Sequence, residues 1–155
     1  MTEYGFALAA MMALTLLSRR WEIMLSGLVV VASWAAWCIF ILATGDYEPW
    51  YAGIVVDGVA IAVLLRAPSC KTRAVISALF AAQVAAHIAY GIVLWWAGDA
   101  DWQAYYTQTQ VAGWAQLLIV GGWGGGVAWR RIVDRGRRHH LLGHRAHSRD
   151  MGAGQ

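Results

Sequence analysis

Charge is scarce in this chain. Asp, Glu, Lys and Arg make up 14% of its 155 residues, against about 25% in a soluble globular domain. The twelve Lys and Arg and nine Asp and Glu are crowded into a few short stretches, too few to furnish the polar skin that a water-soluble domain of this length needs. Proline is rare too: Pro49 and Pro68 are the only two, and both lie between apolar runs, so no run is kinked by one. Cys38 and Cys70 are the only cysteines. One sits inside an apolar run and the other in a short basic segment, which excludes a disulfide framework and a Cys-x-x-Cys zinc ribbon.

Catalytic motifs are missing as well. There is no His-Glu-x-x-His, no Gly-rich phosphate loop ahead of Lys-Ser/Thr, no Gly-x-Gly-x-x-Gly and no Gly-x-Ser-x-Gly elbow. An intramembrane aspartyl protease requires two carboxylates and a b-type haem two axial ligands, whereas the apolar runs hold one Asp and one His. The expectation is a protein that is not an enzyme and carries no metal or other cofactor.

What is abundant is apolar: 59% of the residues, with a mean hydropathy of +0.48. Apolar runs fall at residues 4–18, 22–43, 50–66, 74–97 and 108–129. Crossing the hydrocarbon takes ~20 helical residues, with a range of ~17–25, and the last four runs meet it. The first would rise only ~22 Å as a helix, so it either spans a thinned bilayer or lies partly in the interface. It does not read as a signal peptide, because Glu3 precedes it and Arg19 and Arg20 follow it. The predicted fold class is all-α: a polytopic integral membrane protein with a bundle of four to five transmembrane helices over residues 1–129. A basic, His/Arg-rich, flexible cytoplasmic tail follows over 130–155.

If the five runs alternate, every basic residue falls on one side: Arg19 and Arg20, then Arg66, Lys71 and Arg73, then Arg130 and all those beyond it. Glu3, Asp46, Glu48, Asp99 and Asp101 fall on the other, with no Lys or Arg. The positive-inside rule then puts the N-terminus in the periplasm and the C-terminus in the cytoplasm of a bacterial inner membrane. Trp and Tyr crowd the outer boundary around Tyr47, Trp50, Trp95 and Trp102, and Trp21 and Trp129 mark the inner one. Both outer loops open with Gly-Asp, at Gly45 and Gly98. This is ordinary turn chemistry after a helix, or else a relic of duplicated hairpins 22–66 and 74–130.

Polar groups at membrane depth are expensive and are the first place to look for function. Counted from the basic ends, Asp57 lies ~13 Å, Gln83 ~15 Å and His87 ~21 Å into the membrane, so Asp57 and Gln83 should be nearly level and Gln116 near His87. Gln83 and His87 share a helix face, and Thr109, Gly113 and Gln116 form one stripe. With Ser33 at similar depth, an intramembrane polar layer of Ser33, Asp57, Gln83, His87 and Gln116 is available. It reads either as interhelical glue that fixes register or as a proton-accepting or ligand-binding site.

In the stretch from Gly121 to Gly126, two overlapping Gly-x-x-x-Gly pairs, Gly121 with Gly125 and Gly122 with Gly126, predict close helix packing within the bundle or between copies. In the tail, Arg130, Arg131, Arg135, Arg137 and Arg138 are expected to meet anionic lipid headgroups. His139, His140, His144 and His147 have metal-like spacing without a carboxylate or cysteine ligand, and nucleic acid is not an expected partner. The expected function is a membrane-embedded interaction or assembly module, a homo-oligomer or a subunit docked to a larger membrane partner, with a membrane-lesion (holin-like) role as one form. A proton- or cation-handling carrier or channel built on Asp57 and His87 is the alternative. The Arg, Trp and Gly bias suggests a bacterial or phage source.

Overall fold

The computed structural model describes residues 2–45, 50–67 and 70–152, with side chains from Glu3 to Asp134 within those stretches. The described residues form five helices: α1 (Thr2–Ser18), α2 (Trp21–Thr44), α3 (Trp50–Arg66), α4 (Lys71–Ala97) and α5 (Trp102–Gly152). Three are long and apolar enough to cross a membrane: α2, α4 and the Trp102–Asp134 stretch of α5. α1 and α3 have 17 residues each, about 25 Å of helix, so the expectation that 50–66 matches the longer runs is narrowed to three helices of full length.

The helix ends follow local chemistry rather than hydropathy. α2 and α4 stop at Gly45 (φ 68°) and Gly98 (φ 73°), whose N–H groups donate to the carbonyls of Ile41 and Leu94. A left-handed residue at this position costs glycine nothing, which accounts for the repeated Gly-Asp as capping. α5 begins at Trp102, well before the expected 108, because the Asp101 carboxylate accepts from the Ala104 N–H at 3.0 Å and so caps the helix. α5 also runs through the expected bundle boundary at residue 129. Side chains from residue 135 onward lie outside the described residues, and so do the expected contacts of Arg135, Arg137, Arg138 and the four tail histidines; Asp46, Tyr47, Glu48, Pro49 and Pro68 do also.

α1 and α5 run parallel. Tyr4 meets Gly113, Met11 meets Gly121 and Leu14 meets Gly124, in rising order along both helices. α3 and α4 run antiparallel, with Trp50 against Gly91 and Gly53 against His87. The core between them is built from Leu8, Met11, Val30, Leu64, Ile76, Phe80 and Val120. Outside it the distribution of polarity is inverted. Leu42, Trp95 and Trp96 are each more than four-fifths exposed, and Phe6, Val55, Leu65 and Leu118 are exposed as well, while Thr15, Ser18, Ser26, Asp57, His87 and Gln116 are buried. A protein folded in water places these groups the other way round. With three helices of membrane-crossing length, the pattern points to membrane association.

The glycine run packs, but not along the expected pairs. Gly122 and Gly126 have open space where a side chain would stand. Gly124 makes the close approach: a Cβ there would be 3.1 Å from the Leu14 carbonyl carbon and 3.2 Å from the Thr15 nitrogen. A Cβ on Gly121 or Gly125 would stand 3.7 Å from the Met11 or Leu14 side chain, at ordinary van der Waals distance. The 3.6-residue period explains the correction. The face directed at α1 runs Leu117, Val120, Gly121, Gly124 and Ala128, all buried, so residues 122 and 126 are turned away from it. Gly124→Ala should therefore cost about 1–3 kcal/mol through overpacking against backbone, whereas Gly126→Ala should be neutral or stabilising by up to ~1 kcal/mol through helix propensity. Thermal unfolding of the two variants in the same detergent checks this; equal stabilities would remove Gly124 as the point of contact.

Candidate functional site

The site grows from two residues one turn apart on α3. Gly53 and Asp57 share the buried face of that helix with Ala60 and Leu64. His87 faces them from α4, and a Cβ on Gly53 would stand 2.5 Å from its Nε2. The missing side chain is thus the seat of the imidazole. Seated there, Nε2 lies 3.1 Å from Asp57 Oδ2, and both side chains are almost fully buried, at 1% and 2% exposure.

The other ring nitrogen is also engaged. His87 Nδ1 lies 2.6 Å from the Tyr105 hydroxyl on α5, and the second carboxylate oxygen, Asp57 Oδ1, accepts from Ser33 Oγ on α2 at 3.2 Å. With the ring neutral and its proton on Nε2, the imidazole donates to Asp57 and accepts from Tyr105; with the ring charged, both nitrogens donate. A single chain, Ser33–Asp57–His87–Tyr105, therefore joins α2, α3, α4 and α5. It can hold one proton more or less without losing a partner.

Ser33, Asp57 and His87 of the expected polar layer come together in this chain, and Gln83 and Gln116 form a separate pair, Gln116 Nε2 donating to Gln83 Oε1 at 2.6 Å. The pairing differs by one turn from the depth count, which set Asp57 level with Gln83 and Gln116 near His87. A helical turn is 5.4 Å, a distance these side chains can reach, so depth alone does not choose the partner; the space at Gly53 does. Tyr105, three residues after Trp102, belongs in the sequence to the aromatics of the outer boundary. One turn further back, the stripe of Thr109, Gly113 and Gln116 reaches residue 105, so the early start of α5 was the missing signal.

His87, Gln83, Gln116 and Ser33 open onto a cavity of about 400 Å³ between α1, α2, α4 and α5. Its aromatic wall comprises Tyr4, Trp34, Trp37, Trp102, Tyr105 and Tyr106, and Thr109, Gln110 and Cys38 complete the polar lining. The Trp37 and His87 rings are 5.9 Å apart between centroids, and Tyr105 stacks on Tyr90 at 4.2 Å. Rings packed in this way fix the position of the Tyr105 hydroxyl. The volume lies within the ~300–1,000 Å³ typical of small-molecule sites.

Because Gly53 seats the imidazole, Gly53→Ala should displace His87, break its contact with Asp57 and destabilise the bundle by about 1–3 kcal/mol. Gly58→Ala, on the same helix with nothing within 4 Å, should be tolerated. Comparing denaturant midpoints of the two variants decides the matter, and a tolerated Gly53→Ala would refute the seat.

No family model matches the chain, and neither a curated protein nor a solved structure matches it.

Proposed function

We propose that this chain is a multi-pass membrane protein that binds a small solute in the aromatic cavity and exchanges a proton through His87 as it does so. The observation that carries the reading is the position of the imidazole, on the cavity wall, with a carboxylate on one nitrogen and a phenol on the other. Glue alone requires only a pair of uncharged groups, as Gln83 and Gln116 provide; a buried Asp–His pair adds the capacity to take up and release charge. Of the glycine run, expected to pack within the bundle or between copies, Gly121, Gly124 and Gly125 lie against α1 within the chain. That favours a site inside the bundle over a docking module.

In this reading all five helices span, with the N-terminus outside and the C-terminus inside a bacterial inner membrane. Two observations support it. Helices consecutive in sequence alternate in direction, and the described basic residues Arg19, Arg20, Arg66, Lys71, Arg73, Arg130 and Arg131 flank the helix ends that this alternation brings to one side. Leu17, Arg19, Ala128 and Arg131 line one groove there. The short α1 and α3 are accommodated by local thinning of the bilayer. A reporter active only in the periplasm should be active when fused after Asp99 and silent when fused after Cys70; the opposite pattern would overturn this threading.

The proton is tested without knowing the solute. Histidine is the side chain that ordinarily changes charge between pH 5 and 8, and a protonated imidazole against an indole quenches its emission. Tryptophan emission of the purified protein should therefore show a step as pH is varied. His87→Gln and Trp37→Phe should each abolish it, and Asp57→Asn, which keeps the shape but removes the carboxylate, should displace it. A step that survives His87→Gln unchanged would sink the proposal.

A further inference from the structure

The walls of the cavity narrow the class of solute, on the reading of the cavity as a ligand site. None of its lining residues is Lys or Arg, and six are Trp or Tyr. Behind the wall stands the Asp57 carboxylate, in contact with His87 and Ser33, both of which line the cavity. At the end marked by Trp102, the loop preceding α5 carries Asp99 and Asp101, and residues 94–110 contain no Lys or Arg. Every fixed charge at or near the cavity is thus negative while the imidazole is neutral. The faces of the aromatic rings add their own negative potential.

An anion would meet repulsion from each of these groups. A divalent inorganic cation would need several converging ligands at ~2.0–2.6 Å, and among the described residues no three His, Cys, Asp or Glu side chains are grouped to hold one. An uncharged solute would gain nothing from the carboxylate. We propose that the cavity takes an organic monocation, an ammonium or phosphonium bearing apolar or aromatic groups, held against the ring faces with Asp57 as its counter-charge.

A consequence is competition with the proton. The titratable groups facing His87 are Asp57 from α3 and Tyr105 from α5, with Cys38 of α2, Tyr4 of α1 and Tyr106 of α5 elsewhere on the cavity lining. A cation in the cavity and a proton on His87 repel each other and share one carboxylate. Binding of either weakens the other by the same factor, so the cation binds more tightly as pH rises.

Cys38, on the cavity lining, supplies the readout. Full-length protein carrying Cys70→Ser has Cys38 as its sole thiol, and the rate of its reaction with a maleimide is measured with three probes: benzyltrimethylammonium, its uncharged isostere neopentylbenzene, and the anion phenylacetate. Benzyltrimethylammonium should protect Cys38 at a concentration at least tenfold lower than either other probe, and better at pH 8 than at pH 5.5. This comparison requires no change to the site. Asp57→Asn should reduce the cation's advantage over the isostere at least tenfold. Equal protection by cation and isostere, or none by the cation, would overturn the inference. If the cation fails while the His87-dependent emission step persists, the ligand class is wrong and the proton site stands. If the step is absent but the cation protects selectively, the cation site stands without its proton.

Discussion

A carboxylate removed from water has to be met by a partner, and in this bundle the requirement falls on Asp57. Its two oxygens are engaged by Ser33 from α2 and His87 from α4, and His87 in turn reaches Tyr105 on α5. Moving any of these helices by one turn would leave a buried polar group unpaired, at a cost of about 1–3 kcal/mol, more where the group is charged. The chain of contacts therefore fixes the relative positions of four helices. Apolar packing alone, which lipid tails reproduce almost equally well, specifies such positions weakly.

The same contacts keep the cavity open. Side chains that bond to one another across helices hold those helices at a fixed separation, and the large rings of Trp34, Trp37 and Trp102 line the space left between them. Further along the same two helices, α1 and α5 approach until backbone meets backbone at Gly124. The bundle is thus tight where Leu14 crosses Gly124 and loose around the cavity nearer Tyr4 and Gly113. The loose part is where the polar groups are.

Much of this architecture is legible in the sequence. Run 50–66 coincides with α3, and 22–43 lies within one residue of α2 at each end, because an apolar run and a helix share their bounds where both begin and end at charged or turn residues. The start of α5 was not read, because hydropathy records the apolar stretch and ignores the cap at Asp101. The polar layer was legible as a set, since depth follows from the 1.5 Å rise per residue, but its internal pairing was not. That pairing depends on Gly53, a residue whose contribution is an absence of atoms. In the glycine run the spacing pointed to packing, yet Gly122 and Gly124 differ only in angle around the helix, and that angle follows from where α1 lies.

The parallel pairing of α1 with α5 joins the first helix of the chain to the last. Leu14 and Gly124 meet across three intervening helices, so during synthesis the part of α1 that faces α5 stays uncovered until α5 has been made, although Met12 and Thr15 can already meet Gly27 of α2. Helices α2, α3 and α4 are successive neighbours in packing as in sequence and can assemble in the order of their emergence. The closing contact cannot, and contacts of such long sequence separation form late. The chain is in effect a ring shut by its ends, and its cavity acquires the Tyr4 side of its wall only when the ring has closed.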